Sequence, residues 1–467
     1  MRMPSCLSVS LLLSLLALGG TAAAERPNII YILADDAGYG DFSCYGQEKF
    51  ETPRIDQLAE RGLKFTQHYS GATVCAPSRC SLLTGYHTGH TYVRGNREVQ
   101  PVGQSPIPAD TVTLPKLLKQ AGYVTGAFGK WGLGFPGSEG DPMKQGFDRF
   151  YGYNCQRNAH TYYPTWMYDD DKKIELDGKT YSHDLIMDQA LQFIRDNQQE
   201  SFFCYLPVAI PHAAMHVTEE YSKPFREKFP QFEDKIGRYA GTEVKNPVAA
   251  FAGMMVKLDE DVGRVVDLVE ELGLSDNTLI IFTSDNGPHV EGGHDPKFFN
   301  SNGPLNGFKR DLTDGGIRVP MIATWPGKIK PASQTDHISA FWDVMPTVCD
   351  LVEIETPQGI DGISFVPTLL GKPDQPQHEY LYWEFHERGG KRAIRMGKWK
   401  AVQVDMGNKP NAPIALYDVT ADIGETKDLS ADHAEVMAKV RKIFQEAREP
   451  ADVFQFPFEK RAAGAAS

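Results

Sequence analysis

The segment Asn28-Ile29-Ile30-Tyr31-Ile32-Leu33-Ala34-Asp35-Asp36 decides the fold. Its apolar part is short and nearly continuous, which reads as a strand buried on both faces of a parallel sheet. Comparable runs recur at 124–128, 202–210, 279–283 and 321–325. Helical patterns lie between them. Residues 114–120 make a short one. Residues 183–197 put Leu185, Ile186, Ala190, Phe193 and Ile194 on one face. Residues 248–272 carry Phe251, Met254, Leu258, Val262, Val265, Val269 and Leu272 at helical spacing. Strands alternating with helices specify an α/β fold with a large, mostly parallel sheet flanked by helices. Past about residue 365 the texture changes. Residues 380–385 and 398–404 read as short strands separated by Gly389-Gly390, and 431–448 as an amphipathic helix with Val436, Val440, Ile443 and Phe444 inward. The expected division is a processing segment 1–24, a catalytic α/β domain 25–365, and a smaller C-terminal α+β domain 366–467 with an antiparallel sheet.

Residues 1–24 have the plan of a secretory signal: Arg2, an apolar run from Leu7 to Leu18, then Thr21-Ala22-Ala23-Ala24. The run is shorter than the ~20 apolar residues of a membrane span. An exported protein, periplasmic or secreted, with no stable span after cleavage is expected. The tail 461–467 is rich in Ala and Gly and reads as loose. With 48 Lys+Arg against 61 Asp+Glu the chain carries −13. That balance argues against nucleic acid as a partner, but a local basic pocket for a small anion remains open. Without Cys6, six cysteines remain, enough for three disulfides if all pair.

Ligands in open parallel sheets sit beyond the carboxyl ends of the strands. After the first strand come Asp35 and Asp36, after the second Lys130, after the third His212, and after 279–283 Ser284-Asp285-Asn286-Gly287. Singly, each has an ordinary reading as a cap, a turn or a surface group. Jointly, the carboxylates and the amide oxygen of Asn286 make a hard-oxygen cage suited to Ca²⁺ or Mg²⁺. The neighbouring cations suit an anionic tetrahedral substrate. The segment Cys75-Ala76-Pro77-Ser78-Arg79-Cys80-Ser81-Leu82-Leu83-Thr84-Gly85 places Cys75 just before a helix start. By chemistry alone this reads either as a low-pKa cysteine nucleophile or as a buried structural cysteine.

This segment resembles the signature of the type I sulfatases, Cys-x-Pro-Ser-Arg-x-x-Leu-Leu-Thr-Gly, at every defined position. The resemblance covers almost all of the chain beyond residue 24. It extends to Asn28–Asp36, to Gly129-Lys130-Trp131, to Pro211-His212 and to Ser284–Gly287. Lys309 before Gly315-Gly316-Ile317-Arg318-Val319-Pro320 also matches, as does Leu416-Tyr417-Asp418 followed by Gly424-Glu425. It implies an alkaline-phosphatase-like fold and an exported, arylsulfatase-like carbohydrate sulfatase. It also implies that a maturation enzyme converts Cys75 to formylglycine. Asp35, Asp36, Asp285, Asn286 and position 75 would then hold Ca²⁺, with Mg²⁺ the alternative. Arg79 would steady the hydrated aldehyde, Lys130 and Lys309 would bind sulfate, and His212 would protonate the leaving oxygen. One hydroxyl of the hydrate would attack sulfur, and the other would expel sulfate afterwards.

One position departs from the pattern. The family reads Gly-Lys-Trp-His where this chain has Gly129-Lys130-Trp131-Gly132. The histidine that helps deprotonate the diol is therefore missing, and His87, His90 and His160 are the candidates to replace it. His216 and His294 read as further groups that could face the substrate. Tyr162, Tyr163 and Trp166 suit stacking against a sugar. Two other readings stay open: a phosphonate or phosphate diester hydrolase of the same superfamily, and a sulfoglycan-binding protein with a decayed site. The expected substrate is a sulfated carbohydrate or an aryl sulfate.

Overall fold

The computed structural model describes residues 26–459 apart from 408, 410 and 457. The expected signal and the Ala/Gly-rich tail lie outside the described residues. In chain order the strands are β1 (Asn28–Ala34), β2 (Leu63–Tyr69), β3 (Val124–Lys130), β4 (Arg149–Tyr153), β5 (Trp166–Asp169), β6 (Lys172–Glu175) and β7 (Phe202–Pro207). A hairpin follows, β8 (Ile236–Tyr239) with β9 (Thr242–Lys245). Then come β10 (Thr278–Ser284), β11 (Arg318–Thr324), β12 (Ser333–Thr335) and β13 (Ser339–Ala340). Apart from the hairpin, these strands form one large sheet in the order β12-β2-β11-β10-β1-β7-β3-β4-β5-β6, with β13 beside β2.

β1 runs through the middle, parallel to both β10 and β7. Its period-2 geometry divides its side chains between two cores. Ile30, Ile32 and Ala34 pack on one face with the helices Ser182–Asp196 and Pro247–Glu271. Ile29, Tyr31 and Leu33 pack on the other with Cys75–Thr84, Leu114–Gln120 and Val344–Leu351. Each buried Ile or Leu here contributes about 1.5–3 kcal/mol, which is why the run contains no polar alternation.

β3 and β4 continue the parallel set beyond β7. The run at 321–325 is different. It belongs to β11, which lies antiparallel to β10 and β2. A parallel return would need a crossover, whereas the connection from Asp285 to Ile317 stays at the edge where β10 ended.

The C-terminal sheet is antiparallel as expected: β14 (Leu381–Phe385), β15 (Lys391–Met396), β16 (Trp399–Gln403) and β17 (Ile414–Asp418). One face carries Tyr382, Ile394, Ala401 and Leu416 against the helix Ala434–Glu446. The other packs Trp383, Phe385 and Val402 on Tyr69, Leu312 and Trp342 of the large unit. Lys391 Nζ donates to the Arg310 carbonyl and Lys400 Nζ to Asp314 Oδ1, at 2.8 and 2.6 Å. Glu425, from the Gly424-Glu425 element, accepts from Asp314 N.

The six cysteines, enough for three disulfides if all paired, form none. Cys44, Cys75, Cys80, Cys155, Cys204 and Cys349 are all free thiols. They sit in separate surroundings: Cys204 lies in one core, Cys349 in the other, and Cys80 contacts Thr91 Oγ1.

Candidate active site

The parallel order β10-β1-β7-β3-β4 gathers five carboxyl ends at one edge, and antiparallel β11 adds the segment before its start. β1 delivers Asp35 and Asp36, with Asp36 at φ 68° in the left-handed region that an Asp tolerates. β10 delivers Asp285 and Asn286, β3 ends on Lys130, and the turn after β7 carries His212. Lys309 comes from the connection to β11. Cys75 is the first residue of the helix Cys75–Thr84 rather than standing just before its start. All of these expected site residues meet, and all are buried.

Cys75 Sγ is 3.3 Å from Asp35 Oδ1 and 3.5 Å from Lys130 Nζ. Lys130 Nζ also donates to Asp35 Oδ2 at 2.6 Å. Arg79 spans two carboxylates, Asp35 Oδ2 at 3.0 Å and Asp285 Oδ2 at 2.9 Å, and donates to the Lys130 carbonyl. Lys309 Nζ lies 2.7 Å from Asp36 Oδ2. Asp36 N donates to Asp285 Oδ1, and Asn286 Nδ2 to Asp36 Oδ1. His212 donates from Nδ1 to the Ala213 carbonyl, leaving Nε2 3.5 Å from Asp36 Oδ2.

The electrostatics follow from burying so many charges together. Burial, and next the Asp35 charge, push Asp285 up to about 7. Burial also works against Asp36, but Lys309 and then His212 hold it well below the usual carboxylate range. Burial opposes charge on Lys130, Lys309 and Arg79, yet the adjacent carboxylates raise all three above their ordinary values. Burial, then Lys130 and Lys309, drive His212 well down, so its imidazole is neutral. Burial and then Asp35 push the Cys75 thiol up. The surroundings do not support the low-pKa thiolate reading of Cys75: burial first, and then Asp35, outweigh the helix start, and a protonated thiol is a poor nucleophile.

The donor set suits a hard cation. Ligand atoms of Asp35, Asp36, Cys75 and His212 lie within 4.8 Å of one another. Asn286 Oδ1 is buried there with no hydrogen-bond partner, and an orphaned amide oxygen among carboxylates matches the oxygen coordination of Ca²⁺ or Mg²⁺.

Above the cluster opens a cavity of about 680 Å³ whose wall includes Cys75, Lys130, His160, His212 and Lys309. Of the histidine candidates, only His160 reaches it. His87 and His90 stack on each other and share Asp361 elsewhere. His216 packs on Tyr162 and Tyr163, and His294 lies against Phe251 and Phe299. The aromatic residues proposed for sugar stacking are packing groups instead. Tyr162 is buried and donates its hydroxyl to the Ala209 and His212 carbonyls, which fixes the His212 turn. Tyr163 and Trp166 are not among the cavity residues. Tyr239, from hairpin β8–β9, takes that place, with Gln104, Gln156, Arg310 and Glu387. Sequence reasoning missed Tyr239, Gln104, Arg310 and Glu387; the polar and aromatic run 152–160, which reads as pocket lining, supplies Gln156, Arg157 and His160.

The sulfatase family profile matches residues 27–354. The chain belongs to the sulfatase family. A second profile, the C-terminal part of N-sulphoglucosamine sulphohydrolase, matches residues 307–450 of this sulfatase. N-acetylgalactosamine-6-sulfatase of Canis lupus familiaris is 33% identical over 420 residues, covering 84% of this chain and 74% of the relative. Human arylsulfatase A is 32% identical over 479 residues, covering 90% and 86%. Among solved structures, Ps i-CgsB in complex with k-i-k-neocarrahexaose has 28% identity and a TM-score of 0.77, covering 93% of this chain and 94% of that one. The sulfatase described here is thus a sulfuric ester hydrolase with the expected α/β fold.

Proposed function

We propose that this sulfatase removes sulfate from a sulfated carbohydrate, and that its reacting group is a formylglycine made from Cys75 by a maturation enzyme. The observation that carries the reading is the position of Cys75: at the floor of a polar cavity, between Lys130 and Asp35. The relatives' substrates, an N-acetylgalactosamine sulfate among them, favour a sugar. Both lysines and the acidic cluster are intact, which disfavours a decayed binding protein.

Asp35, Asp36, Asp285 and Asn286, with position 75, would hold the cation, for which Ca²⁺ is the first choice. Such a cation supplies Lewis-acid neutralisation of a sulfate oxygen. Formylglycine supplies a hydrated aldehyde whose hydroxyl can displace an alcohol from sulfur. The chain's own groups do the rest. Lys130 and Lys309 each use one of three ammonium donors on a carboxylate, leaving others for the sulfate oxygens. Arg79 locks Asp35 and Asp285 in register. His212 carries its proton on Nδ1, held by the Ala213 carbonyl, so its bare Nε2 would first take up a proton and then pass it to the leaving oxygen. Neutral His160, lowered to about 4 by burial and then by Lys130 and Lys309, is the proton acceptor at position 75.

Residues 25–365 would form the catalytic domain and 366–467 the C-terminal one. Residues 1–24 would direct export to the periplasm or beyond. No helix among the described residues is long and apolar enough to cross a membrane.

Peptide mass analysis across position 75, on protein from its native host, tests the central step. The aldehyde mass is expected, with Cys75→Ala losing turnover while still binding substrate. An unmodified thiol in active enzyme would refute the mechanism.

A further inference from the structure

Gly132 and Gln156 occupy one another's space. The chain after β3 pairs with the chain after β4: Trp131 N donates to the Tyr153 carbonyl and Gly132 N to that of Asn154. This brings Gln156 over Gly132. A Cβ built on Gly132 would lie 2.5 Å from Gln156 Nε2 and 3.8 Å from the Cβ of Ala76, the residue after Cys75. The absence of a side chain at 132 is what lets the Gln156 carboxamide sit there. Gly132 also has φ 87°, a conformation that resists a replacement side chain.

Gln156 is 6% exposed, and neither its Nε2 nor its Oε1 has a hydrogen-bond partner in the chain. Leaving such groups unpaired costs roughly 1–3 kcal/mol each, so native proteins pair nearly all of them. Gln156 lines the cavity that holds Cys75 and Lys130. Its missing partners therefore come from whatever occupies that cavity.

We propose that Gln156 is a catalytic residue, its carboxamide hydrogen-bonding oxygens of the reacting centre at position 75 from the place left open by Gly132. This rests on position 75 as the reacting group. A carboxamide donates and accepts hydrogen bonds but takes up no proton near neutrality, so it orients the oxygens and leaves proton transfer to another group.

The test compares wild type, Gln156→Leu and Gly132→Ala with para-nitrophenyl sulfate as probe. Aldehyde content at position 75 and thermal midpoint are read on each protein. Leucine fills nearly the same volume without polar atoms. Gln156→Leu should keep its aldehyde and its midpoint, lose roughly 10²-fold in kcat, and change KM by less than about threefold. Gly132→Ala, which displaces the amide and also strains the backbone at φ 87°, should lower kcat at least comparably. A Gln156→Leu enzyme within about threefold of wild-type kcat, aldehyde intact, overturns the proposal. Wild-type enzyme that turns over without aldehyde would overturn the reading of position 75 itself, and this inference with it.

Discussion

His160 lies flat over His212, with ring centroids 5.4 Å apart and planes 5° from parallel. Tyr239 meets both rings edge-on. The stack fixes the direction of the His212 ring and holds a second, neutral nitrogen base at the same wall. Phenylalanine at position 160 would keep the stack and remove the base. His160→Phe should therefore lower kcat by roughly 10²-fold while leaving KM nearly unchanged. Steady-state kinetics check this, and near-wild-type kcat would confine His160 to packing.

The oxygen cage predicts a metal requirement. After chelation, with ion loss verified by elemental analysis, turnover should disappear, and Ca²⁺ should restore more of it than Mg²⁺. Full activity in verified metal-free enzyme would refute the cage.

Acid sensitivity should trace in part to His68, on β2. Burial, and secondarily His337, lower its imidazole to about 3. The unfolded imidazole takes up a proton near 6.5. Between those values the unfolded state binds more protons, so stability is complete above about pH 6.5 and falls as pH drops toward 3. At pH 5 this one group removes about 2 kcal/mol. His68→Gln should shrink the stability difference between pH 7.5 and pH 5 by about that amount, measured by denaturant unfolding. An unchanged difference would sink the assignment.

Lys400 of β16 and Asp314, in the short helix just before β11, form a fully buried pair at 2.6 Å. Burial opposes the Asp314 charge, but Lys400 first, then Arg318 and Arg395, hold its carboxyl below the usual range. Lys400→Met strands that charge and should cost about 3–5 kcal/mol, visible in guanidinium unfolding. A loss under about 1 kcal/mol would show that the arginines compensate.

Some of this was legible in the chain and some was not, for identifiable reasons. β1 and its following Asp pair were readable because a doubly buried strand has no polar alternation and its end is abrupt. Asp285, Asn286, Lys130 and His212 followed from the same strand-end rule. Lys309 follows no strand directly, so only the resemblance marked it. The direction of β11 was hidden because a hydrophobic run has a period but no polarity. β15 was missed because charged Lys391, Arg392 and Arg395 interrupt its run; Arg395 is nevertheless buried. The run 152–160 reads as pocket lining, but the particular role of Gln156 within it was not legible. Its meaning lies in Gly132, which is distant along the chain and adjacent only after β3 and β4 pair.

The burial of Cys75 has a consequence in time. Its thiol is 1% exposed, enclosed by Asp35 on one side and by Lys309, Asp285 and their neighbours more than 200 residues downstream. A domain closed by such distant partners assembles only after most of the chain has been made. An enzyme that oxidises Cys75 must reach it earlier, while the segment is still an open peptide. The chemistry of this site would then be decided by a race between modification and folding, and a chain that folds first would keep its thiol out of reach.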